Sequence, residues 1–266
     1  SSSGVPLVGC DCPVCTSRHP RNRRSRVSIL VEIQEKRLLV DTSPDLRQQC
    51  LQCGINTVDA ILYTHAHADH CHGIDDVRSL NYHKQGSVDC YADAETLREI
   101  KQRFAYAFKA PVPEFGWFRP CLAPHEITAF TPFRVAGIDV IPFAQMHGTV
   151  QTLGFRIGNM AYSTDVNAFP DASLEIMQGV ELWVVDCLRY EEAPTHAHLE
   201  RTLEWIDLVR PKRAILTHMG HELDYETLQQ TLPEGVEPGY DGMVIELGKA
   251  GSYMSASKAS DASAQR

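Results

Sequence analysis

The amino-acid sequence predicts an α/β fold in which two mixed β-sheets face each other and helices cover their outer sides. Two observations carry this prediction. Short apolar runs of strand length alternate with helical patterns along the chain, and they fall into two halves whose strands end in His or Asp. The 266 residues can bury a full core. We expect one domain over residues 1–250 and a flexible, Ser- and Ala-rich tail over residues 251–266.

The first half of the chain contains four predicted strands and three predicted helices. Ser43 is the expected N-cap of the first of these helices, and Gly54 is its expected end. The strands are Val27–Ile33, Arg37–Asp41, Ala60–Tyr63 and Val88–Ala92, and the helices are Pro44–Cys53, Ile74–Tyr82 and Asp93–Lys109.

The second half begins after an aromatic, proline-rich segment, Pro111–Pro124. This segment is expected to be a loop that either closes over a site as a lid or packs on a neighbouring subunit. In the second case the protein would be a homodimer. The strands that follow are Phe133–Val135, Ile138–Phe143, Thr152–Ile157, Met160–Ser163, Leu182–Asp186 and Arg213–His218, and the helices are Pro170–Gln178 and Leu199–Val209.

Composition restricts the partners of the protein. The net charge of -9 argues against a protein that binds long nucleic acid through many phosphate contacts, although a small anionic substrate is compatible with it. The sequence has no apolar run of membrane-spanning length and no signal peptide at its start, and what precedes Ser1 stays open. Nine cysteines, three of them crowded into Cys10–Cys15, favour metal ligation in a reducing cytoplasm.

A cluster of metal-binding side chains follows the predicted strand Ala60–Tyr63. It consists of His65, His67, Asp69 and His70. Buried polar groups cost free energy unless each finds a partner, and a divalent metal suits imidazole and carboxylate ligands. Strand geometry places His65 and His67 on the same side, and a turn after them can direct Asp69 and His70 to a second metal. The alternatives are a solvent-facing histidine cluster or a single-metal site.

Three more candidate ligands, His147, Asp165 and His218, each follow an apolar run further along the chain. Taken singly, His147 is an ordinary surface or core histidine and Asp165 an ordinary turn residue. Together with the first cluster they supply the number of ligands that two metals require. The metal itself is not determined by such ligands, and Zn, Mn, Ni and Fe all fit.

The signature His65-x-His67-x-Asp69-His70, followed by His147, Asp165 and His218, resembles the metallo-β-lactamase-fold hydrolases over nearly the whole chain. The resemblance implies a four-layer αββα sandwich with two divalent metal ions in the active site. It also implies the ligands: His65, His67 and His147 for one metal, Asp69, His70 and His218 for the other, and Asp165 as the bridge between them.

A second resemblance is more specific. Four stretches resemble the phosphoribosyl 1,2-cyclic phosphate phosphodiesterase branch, which is associated with phosphonate breakdown: Gly4–Pro6, Gly9–Cys15, Thr217–His221 and Tyr240–Met243. That branch implies one structural zinc, here on Cys10, Cys12, Cys15 and His221. Such a closed Cys3His site would join the early loop to the late strand end rather than catalyse. The alternative is three free cysteines.

The two resemblances imply a mechanism. A metal-bridging hydroxide would attack a small phosphodiester, which the second resemblance suggests is a cyclic ribose ester. Asp69 has a second expected role besides ligation, in which it orients the hydroxide or accepts its proton. His196 and His198 are candidate general acids for the leaving group. The resemblance favours His196, whereas His198 is similar to a histidine of the tRNA 3′-processing endonucleases, so the choice stays open.

Other members of the same fold are the alternatives. A tRNA 3′-processing nuclease would carry a basic tRNA-binding arm, and lactone or thioester hydrolases usually lack the cysteine loop. The pyrroloquinoline-quinone biosynthesis branch resembles the chain at its cysteine loop and at Ser43–Gln49. A metal-storage role does not need His196 and His198.

Overall fold

Two β-sheets pack face to face in the computed structural model, which describes residues 1–112, 114 and 116–248. Helices lie on the outer sides of both sheets, so the α/β sandwich of two facing mixed sheets that the sequence predicts is confirmed. The predicted flexible tail over residues 251–266 lies outside the described residues.

The first sheet is built from the first half of the chain. Its strands are β1 (Ile29–Ile33), β2 (Lys36–Val40), β3 (Ala60–Leu62), β4 (Val88–Ala92) and β5 (Leu122–Glu126), in that spatial order. β1 and β2 form an antiparallel hairpin, and β2 to β5 run parallel. The helices of this half are α1 (Pro13–Thr16), α2 (Leu46–Cys53), α3 (Ala68–Cys71), α4 (Val77–Lys84) and α5 (Ala94–Arg103).

The second sheet has seven strands. They are β6 (Phe133–Val135), β7 (Ile138–His147), β8 (Val150–Ile157), β9 (Met160–Ser163), β10 (Leu182–Asp186), β11 (Arg213–Thr217) and β12 (Val236–Pro238). β6 to β9 pair antiparallel, and β9 to β12 run parallel in the order β9, β10, β11, β12. The helices of this half are α6 (Asp171–Met177), α7 (Leu199–Val209) and α8 (Tyr225–Thr231).

Three apolar clusters hold the layers together. Leu38 of the first sheet and Phe155 of the second belong to the central cluster between the sheets. Ile74 is fully buried in the cluster on the helix side of the first sheet. Trp183 and Trp205 belong to the cluster between the second sheet and its helices. Two helix layers therefore enclose two sheet layers, which is the predicted four-layer arrangement.

Two helices differ from the prediction at their ends. α5 begins after Asp93, whose side chain caps it by accepting a hydrogen bond from the Thr96 amide, but it ends at Arg103. Phe104 leaves the helical region at φ -122°, and a separate 3-10 helix then spans Ala105–Phe108. Helix α2 starts one residue after Asp45, so Ser43 is not its N-cap.

Five of the helices and strands named above are absent from the prediction: α1 and α3, which have four residues each, and β5, α8 and β12. β5 contains Pro124, which discouraged a strand there, but β5 is an edge strand and can place a proline where no ladder hydrogen bond is needed. α8 and β12 follow the last predicted strand. β12 is only three residues long and pairs along the edge of β11, so its own sequence carries little pattern.

The fold places the predicted ligands at strand ends. His65 follows β3, His147 is the last residue of β7, Asp165 follows β9 and His218 follows β11. Asp165 and His218 have left-handed backbones, with φ of +51° and +56°. Such conformations are costly for residues other than glycine and concentrate at functional sites. None of the helices in the part of the chain that the structure describes has the length and apolarity needed to cross a membrane.

Candidate metal centre

Two groups of potential ligands meet at one end of the sandwich. The first contains His65, His67, His147 and Asp165, whose ligand atoms all lie within 4.8 Å of one another. The second meets the same condition and contains Asp69, His70, Asp165 and His218. The structure therefore brings all seven predicted ligands together and places Asp165 in both groups.

The Asp165 carboxylate lies between the imidazoles of both groups. Its Oδ1 is 3.1 Å from Nε2 of His70 and 3.4 Å from Nε2 of His218. Its Oδ2 is 3.7 Å from Nε2 of His65 and 3.8 Å from Nε2 of His147. One carboxylate oxygen thus faces each group, which is the arrangement that a bridging ligand needs.

The opposite ring nitrogens of three of these histidines are engaged. His70 Nδ1 donates to Asp41 Oδ2 at 2.8 Å, and His147 Nδ1 donates to the Thr195 carbonyl at 2.6 Å. His65 Nδ1 is 2.9 Å from Oγ1 of Thr64. An imidazole whose Nδ1 is held in this way presents Nε2 to a metal, and such partners also fix the ring orientation.

Orphaned buried atoms show that divalent metals fit these groups. Nε2 of His65 and Nε2 of His70 are fully buried and have no hydrogen-bond partner. A buried polar atom without a partner costs free energy, so a ligand of the right chemistry is expected there. Imidazole nitrogens and carboxylate oxygens in two adjoining sets match the ligand chemistry of Zn, Mn, Fe or Ni.

The electrostatics of the site also suit metal ions. Burial lowers the pKa of His65, His67 and His218, which favours the neutral imidazole that a metal requires. Burial opposes ionisation of Asp165, but the neighbouring His218 and His70 outweigh it and hold the pKa of this carboxyl well below its ordinary value. Burial opposes protonation of His70, but the Asp165 and Asp41 carboxylates outweigh it and raise the pKa of His70 well above its ordinary value. Asp165 is therefore an anion in this site, as a metal ligand must be, and a metal ion at His70 would have to displace a proton from that ring.

Asp41 was placed at a strand end by the sequence, but its role was not predicted. It is fully buried and has a left-handed backbone with φ of +63°. Besides His70, it accepts hydrogen bonds from the Thr64 amide and hydroxyl, both at 2.8 Å. Asp41 thereby fixes both the start of the histidine loop and the His70 ring, and its position directly after β2 was the signal in the sequence.

Of the two candidate acids, His196 lies at the metal groups. Its Nε2 is 3.8 Å from Asp165 Oδ2, and its ring stacks on that of His218 with centroids 4.9 Å apart. Its Nδ1 donates to Asp186 Oδ2 at 3.0 Å. Burial would lower the pKa of His196, but the hydrogen bond to Asp186 prevails and raises it.

Asp186 is a second carboxylate that the sequence analysis did not assign to the site. It is fully buried at the end of β10 and accepts a hydrogen bond from the Val166 amide at 3.0 Å. Its Oδ1 has no hydrogen-bond partner and lies 3.6 Å from His218 Nδ1. Asp186 thus lies next to the Nδ1 atoms of both His196 and His218.

His198 lies outside both groups. It is the N-cap residue of α7, and its side chain makes no capping hydrogen bond. It lines a cavity of about 430 Å³ that His196 also lines, together with Asn167, Arg201 and Trp205. Both imidazoles thus face one cavity, but of the two only His196 also contacts Asp165 and His218 of the ligand groups.

The cysteine loop forms a separate cluster. Cys10, Cys12, Cys15 and His221 have their ligand atoms within 4.8 Å of one another, and His221 Nδ1 is 3.6 Å from Cys10 Sγ and 3.5 Å from Cys12 Sγ. His221 lowers the pKa of the Cys12 thiol to about 6, whereas burial raises that of Cys15 to about 11. The four predicted ligands of the structural zinc are therefore together.

Two aromatic residues between the end of α5 and the predicted loop Pro111–Pro124 lie close to the histidine loop. The Phe104 ring meets His72 edge to face with centroids 5.4 Å apart, and Tyr106 Oη donates to Asp75 at 2.6 Å. Arg78 donates to the Phe118 carbonyl. The role of the loop Pro111–Pro124 itself, as a lid or as a subunit contact, stays a prediction.

Comparison with known proteins agrees with this geometry. The family model described as "Beta-lactamase superfamily domain" matches residues 36–219. A curated relative from Porphyromonas gingivalis, named octanoyltransferase, is 37% identical over 256 residues, which are 94% of this chain and 51% of the relative. The chain therefore spans about half the length of that relative.

Solved structures share the whole sandwich. A crystal structure described as a new diphosphatase from the PhnP family is 36% identical, with a TM-score of 0.84 over 91% of this chain and 92% of that one. Zn²⁺-bound PqqB from Methylobacterium extorquens is 19% identical, with a TM-score of 0.74 over 92% and 96%. Human tRNase Z, short form, is 17% identical, with a TM-score of 0.63 over 86% and 95%. The last two similarities show the fold alone.

Proposed function

Because the chain belongs to the beta-lactamase superfamily, we propose that it is a two-metal phosphodiesterase that hydrolyses a small phosphodiester. The chain is a metal-dependent hydrolase of the metallo-β-lactamase fold, and the proposal concerns the bond that it cleaves. The diphosphatase at 36% identity supports a substrate with phosphorus–oxygen bonds. A cyclic ribose phosphodiester is the substrate that we propose, in the setting of phosphonate breakdown.

The position of Asp165 carries the proposal. One carboxylate faces unpartnered Nε2 atoms of His70 on one side and of His65 on the other. His65, His67 and His147 would hold one ion, Asp69, His70 and His218 the other, with Asp165 between them. Two such ions supply an activated water as nucleophile and neutralise charge on the phosphoryl oxygens.

His196 is the residue that we propose as proton donor to the leaving group. Asp186 accepts the hydrogen bond from Nδ1, so Nε2 is left to hold a proton on the side that faces Asp165. A general acid must present its proton toward the reacting atoms, and His196 does so from a ring fixed on its other edge. Asp69, whose Oδ2 is 3.3 Å from His218 Nε2, serves mainly as a ligand, and a further role in orienting the nucleophile stays a prediction.

A small substrate fits the charge of the protein. The net charge of -9 disfavours binding to long polyanions, because such binding depends on many contacts between Lys or Arg and phosphate. The metal ions would provide the local positive charge that a single phosphodiester needs.

Acyl transfer is the activity that the name of the Porphyromonas gingivalis relative raises. A cysteine nucleophile for acyl transfer needs an accessible thiolate. Cys71 and Cys187, the cysteines nearest in sequence to His70 and Asp186, are buried, and burial raises the pKa of both thiols, that of Cys71 to about 12. These two thiols do not favour that chemistry, so hydrolysis is the activity that we propose.

A substrate panel tests the proposal. Metal-reconstituted protein is assayed on bis-p-nitrophenyl phosphate, 2′,3′-cyclic nucleotides and ribose 1,2-cyclic phosphate, beside a tRNA precursor, a lactone and a thioester. We expect turnover of the phosphodiesters with a preference for the cyclic ribose ester, and loss of turnover after chelation. Full metal occupancy with turnover of only the lactone or thioester would contradict the proposal.

A further inference from the structure

We propose that Asn167 is a positioning residue that fixes the segment carrying His196 against the turn that follows His147. Its Oδ1 accepts a hydrogen bond from the Gly148 amide at 2.9 Å, and its Nδ2 donates to the Pro194 carbonyl at 3.0 Å. One amide side chain therefore connects the turn after the proposed metal ligand His147 (the metal-ligand side) to the segment Pro194–His196, which carries the proposed general acid (the acid side). This inference rests on the proposed function.

Asn167 is anchored on the metal-ligand side. Its backbone amide donates to the Met146 carbonyl at 2.8 Å, and the Met146 amide donates to the Ala168 carbonyl at 2.9 Å. This bridge attaches Asn167 to the end of β7, one residue before His147. Asp165 lies two residues earlier on the same segment. The side chain of Asn167 therefore extends from a segment that is hydrogen-bonded to the end of β7, the strand that carries His147.

Three consecutive residues, Pro194, Thr195 and His196, each make a different hydrogen bond. The Pro194 carbonyl accepts from Asn167, the Thr195 carbonyl accepts from His147 Nδ1 at 2.6 Å, and His196 donates to Asp186. The contacts at Pro194 and Thr195 both come from the end of β7 and the segment bridged to it. Loss of the first contact would release the segment on the side before His196, while the other two contacts and the hydrogen bond from the Leu188 amide to the Ala197 carbonyl at 2.9 Å would remain.

The two sides approach closely, so a small shift matters. Gly148 has φ of +64°, and a Cβ at this position would lie 3.0 Å from Cγ2 of Thr195. The turn and the segment are therefore in direct contact beside the site. A displacement of about 1 Å in a reacting group costs on the order of a hundredfold in rate. Holding the Pro194–His196 segment is thus a requirement for proton donation.

If Asn167 acts through protonation of the leaving group, the rate loss on its removal should depend on the leaving group. A general acid contributes about 10²- to 10⁴-fold, and mainly when the leaving group is a poor one. Removal of Asn167 should therefore slow hydrolysis of a phenyl phosphodiester strongly and that of a 2,4-dinitrophenyl phosphodiester weakly. A purely structural loss would lower both rates alike.

The experiment compares Asn167→Ala and Asn167→Asp with Asn56→Ala, an exposed asparagine 3.5 Å from an Arg37 guanidinium nitrogen. Aspartate keeps an acceptor for Gly148 but places a carboxylate against the Pro194 carbonyl. We expect both Asn167 variants to lose about tenfold or more in kcat on the phenyl ester and less than about threefold on the dinitrophenyl ester. Asn56→Ala should match the wild type on both.

A double-mutant cycle separates action through His196 from a general effect. In a His196→Ala background, Asn167→Ala should cost less than about twofold, because the residue it positions is gone. A second readout needs no turnover: hydrogen exchange over residues 192–198 should be faster in Asn167→Ala, in the metal-free and the metal-loaded protein alike.

The outcomes separate the two proposals. Absence of wild-type turnover on every phosphodiester overturns the proposed function, and the exchange measurement then still decides the role of Asn167. Equal losses on both esters, an undiminished loss in the His196→Ala background, or unchanged exchange over residues 192–198 would each overturn the inference.

Discussion

Asp186 Oδ2 accepts a hydrogen bond from Nδ1 of His196 at 3.0 Å, and the other oxygen of the same carboxylate lies 3.6 Å from Nδ1 of His218. The carboxylate is fully buried and adjoins one proposed metal ligand and one proposed proton donor. Because one carboxylate contacts both rings, it fixes the position of the His196 ring relative to that of His218. The geometry therefore distinguishes His196 from His198, which the sequence alone left open.

Replacement of each histidine tests that distinction. His196→Ala should lose about 10²-fold or more in kcat on a phosphodiester with a poor leaving group and much less on one with a good leaving group. His198→Ala should stay within about threefold of wild type, because its ring lies outside the metal groups. Steady-state kinetics on matched phenyl and dinitrophenyl esters measures both. The reverse pattern would assign the acid to His198.

Asp41 should control metal affinity through His70. The variant Asp41→Asn keeps the shape of the side chain but weakens the charged partner of the His70 Nδ1–H. Loss of such a partner typically lowers metal affinity by about 10- to 100-fold. Competition with a chelator measures the affinity. Asp139→Asn, at an exposed carboxylate 3.5 Å from Arg134, is the matched control and should leave it unchanged. Equal affinities in the three proteins would refute this role.

The side chains that the fold brings together could be identified in the sequence, because local pattern and strand-end position both pointed to them; that they bind metal stays a prediction. His65, His147, Asp165 and His218 each follow an apolar run, and the fold brings those strand ends together. Asp186 also ends such a run, but its partner His196 lies ten residues further along the chain. Only the folded chain shows which strand-end carboxylate faces which ring.

The cysteine cluster should be a separate, stabilising site. Cys12→Ser should release one zinc, counted by elemental analysis, and lower the free energy of unfolding by about 4 kcal/mol, the linkage expected for zinc at about a thousand times its Kd. Its sulfur lies 3.5 Å from His221 Nδ1, so one ligand is lost. Cys53→Ser, at an exposed thiol, is the control. An unchanged zinc count in Cys12→Ser would support free cysteines.

Gly73 should tolerate no side chain. A Cβ there would lie 1.9 Å from the Ser43 carbonyl oxygen, and a backbone atom cannot move aside as a flexible side chain can. Gly73→Ala should therefore cost about 3 kcal/mol in the free energy of unfolding, the upper end of the overpacking range. Urea denaturation measures the cost. At Gly86 the nearest atom is 4.0 Å away, so Gly86→Ala should be nearly neutral. A neutral Gly73→Ala would contradict the packing described.

The fold was less predictable where the local sequence pattern does not indicate a strand and only pairing with a neighbouring strand defines it. β5 contains a proline that a strand pattern excludes, and β12 has three residues, so both are defined by their pairing with β4 and β11. The end of α5 at Arg103 depends on the backbone of Phe104, since the apolar pattern continues into the following 3-10 helix. These elements depend on tertiary contacts rather than on local sequence.

The most direct test of the two-metal phosphodiesterase is a paired measurement on Asp165→Ala and Asp139→Ala: metal content by elemental analysis and turnover of ribose 1,2-cyclic phosphate on the same samples. Wild type and Asp139→Ala should contain two ions besides the zinc of the cysteine cluster and should hydrolyse the ester. Asp165→Ala should bind fewer ions and lose turnover, because both groups share its carboxylate. Full metal content and full turnover in Asp165→Ala would contradict the account, as would a wild type with all its metals that leaves the ester intact.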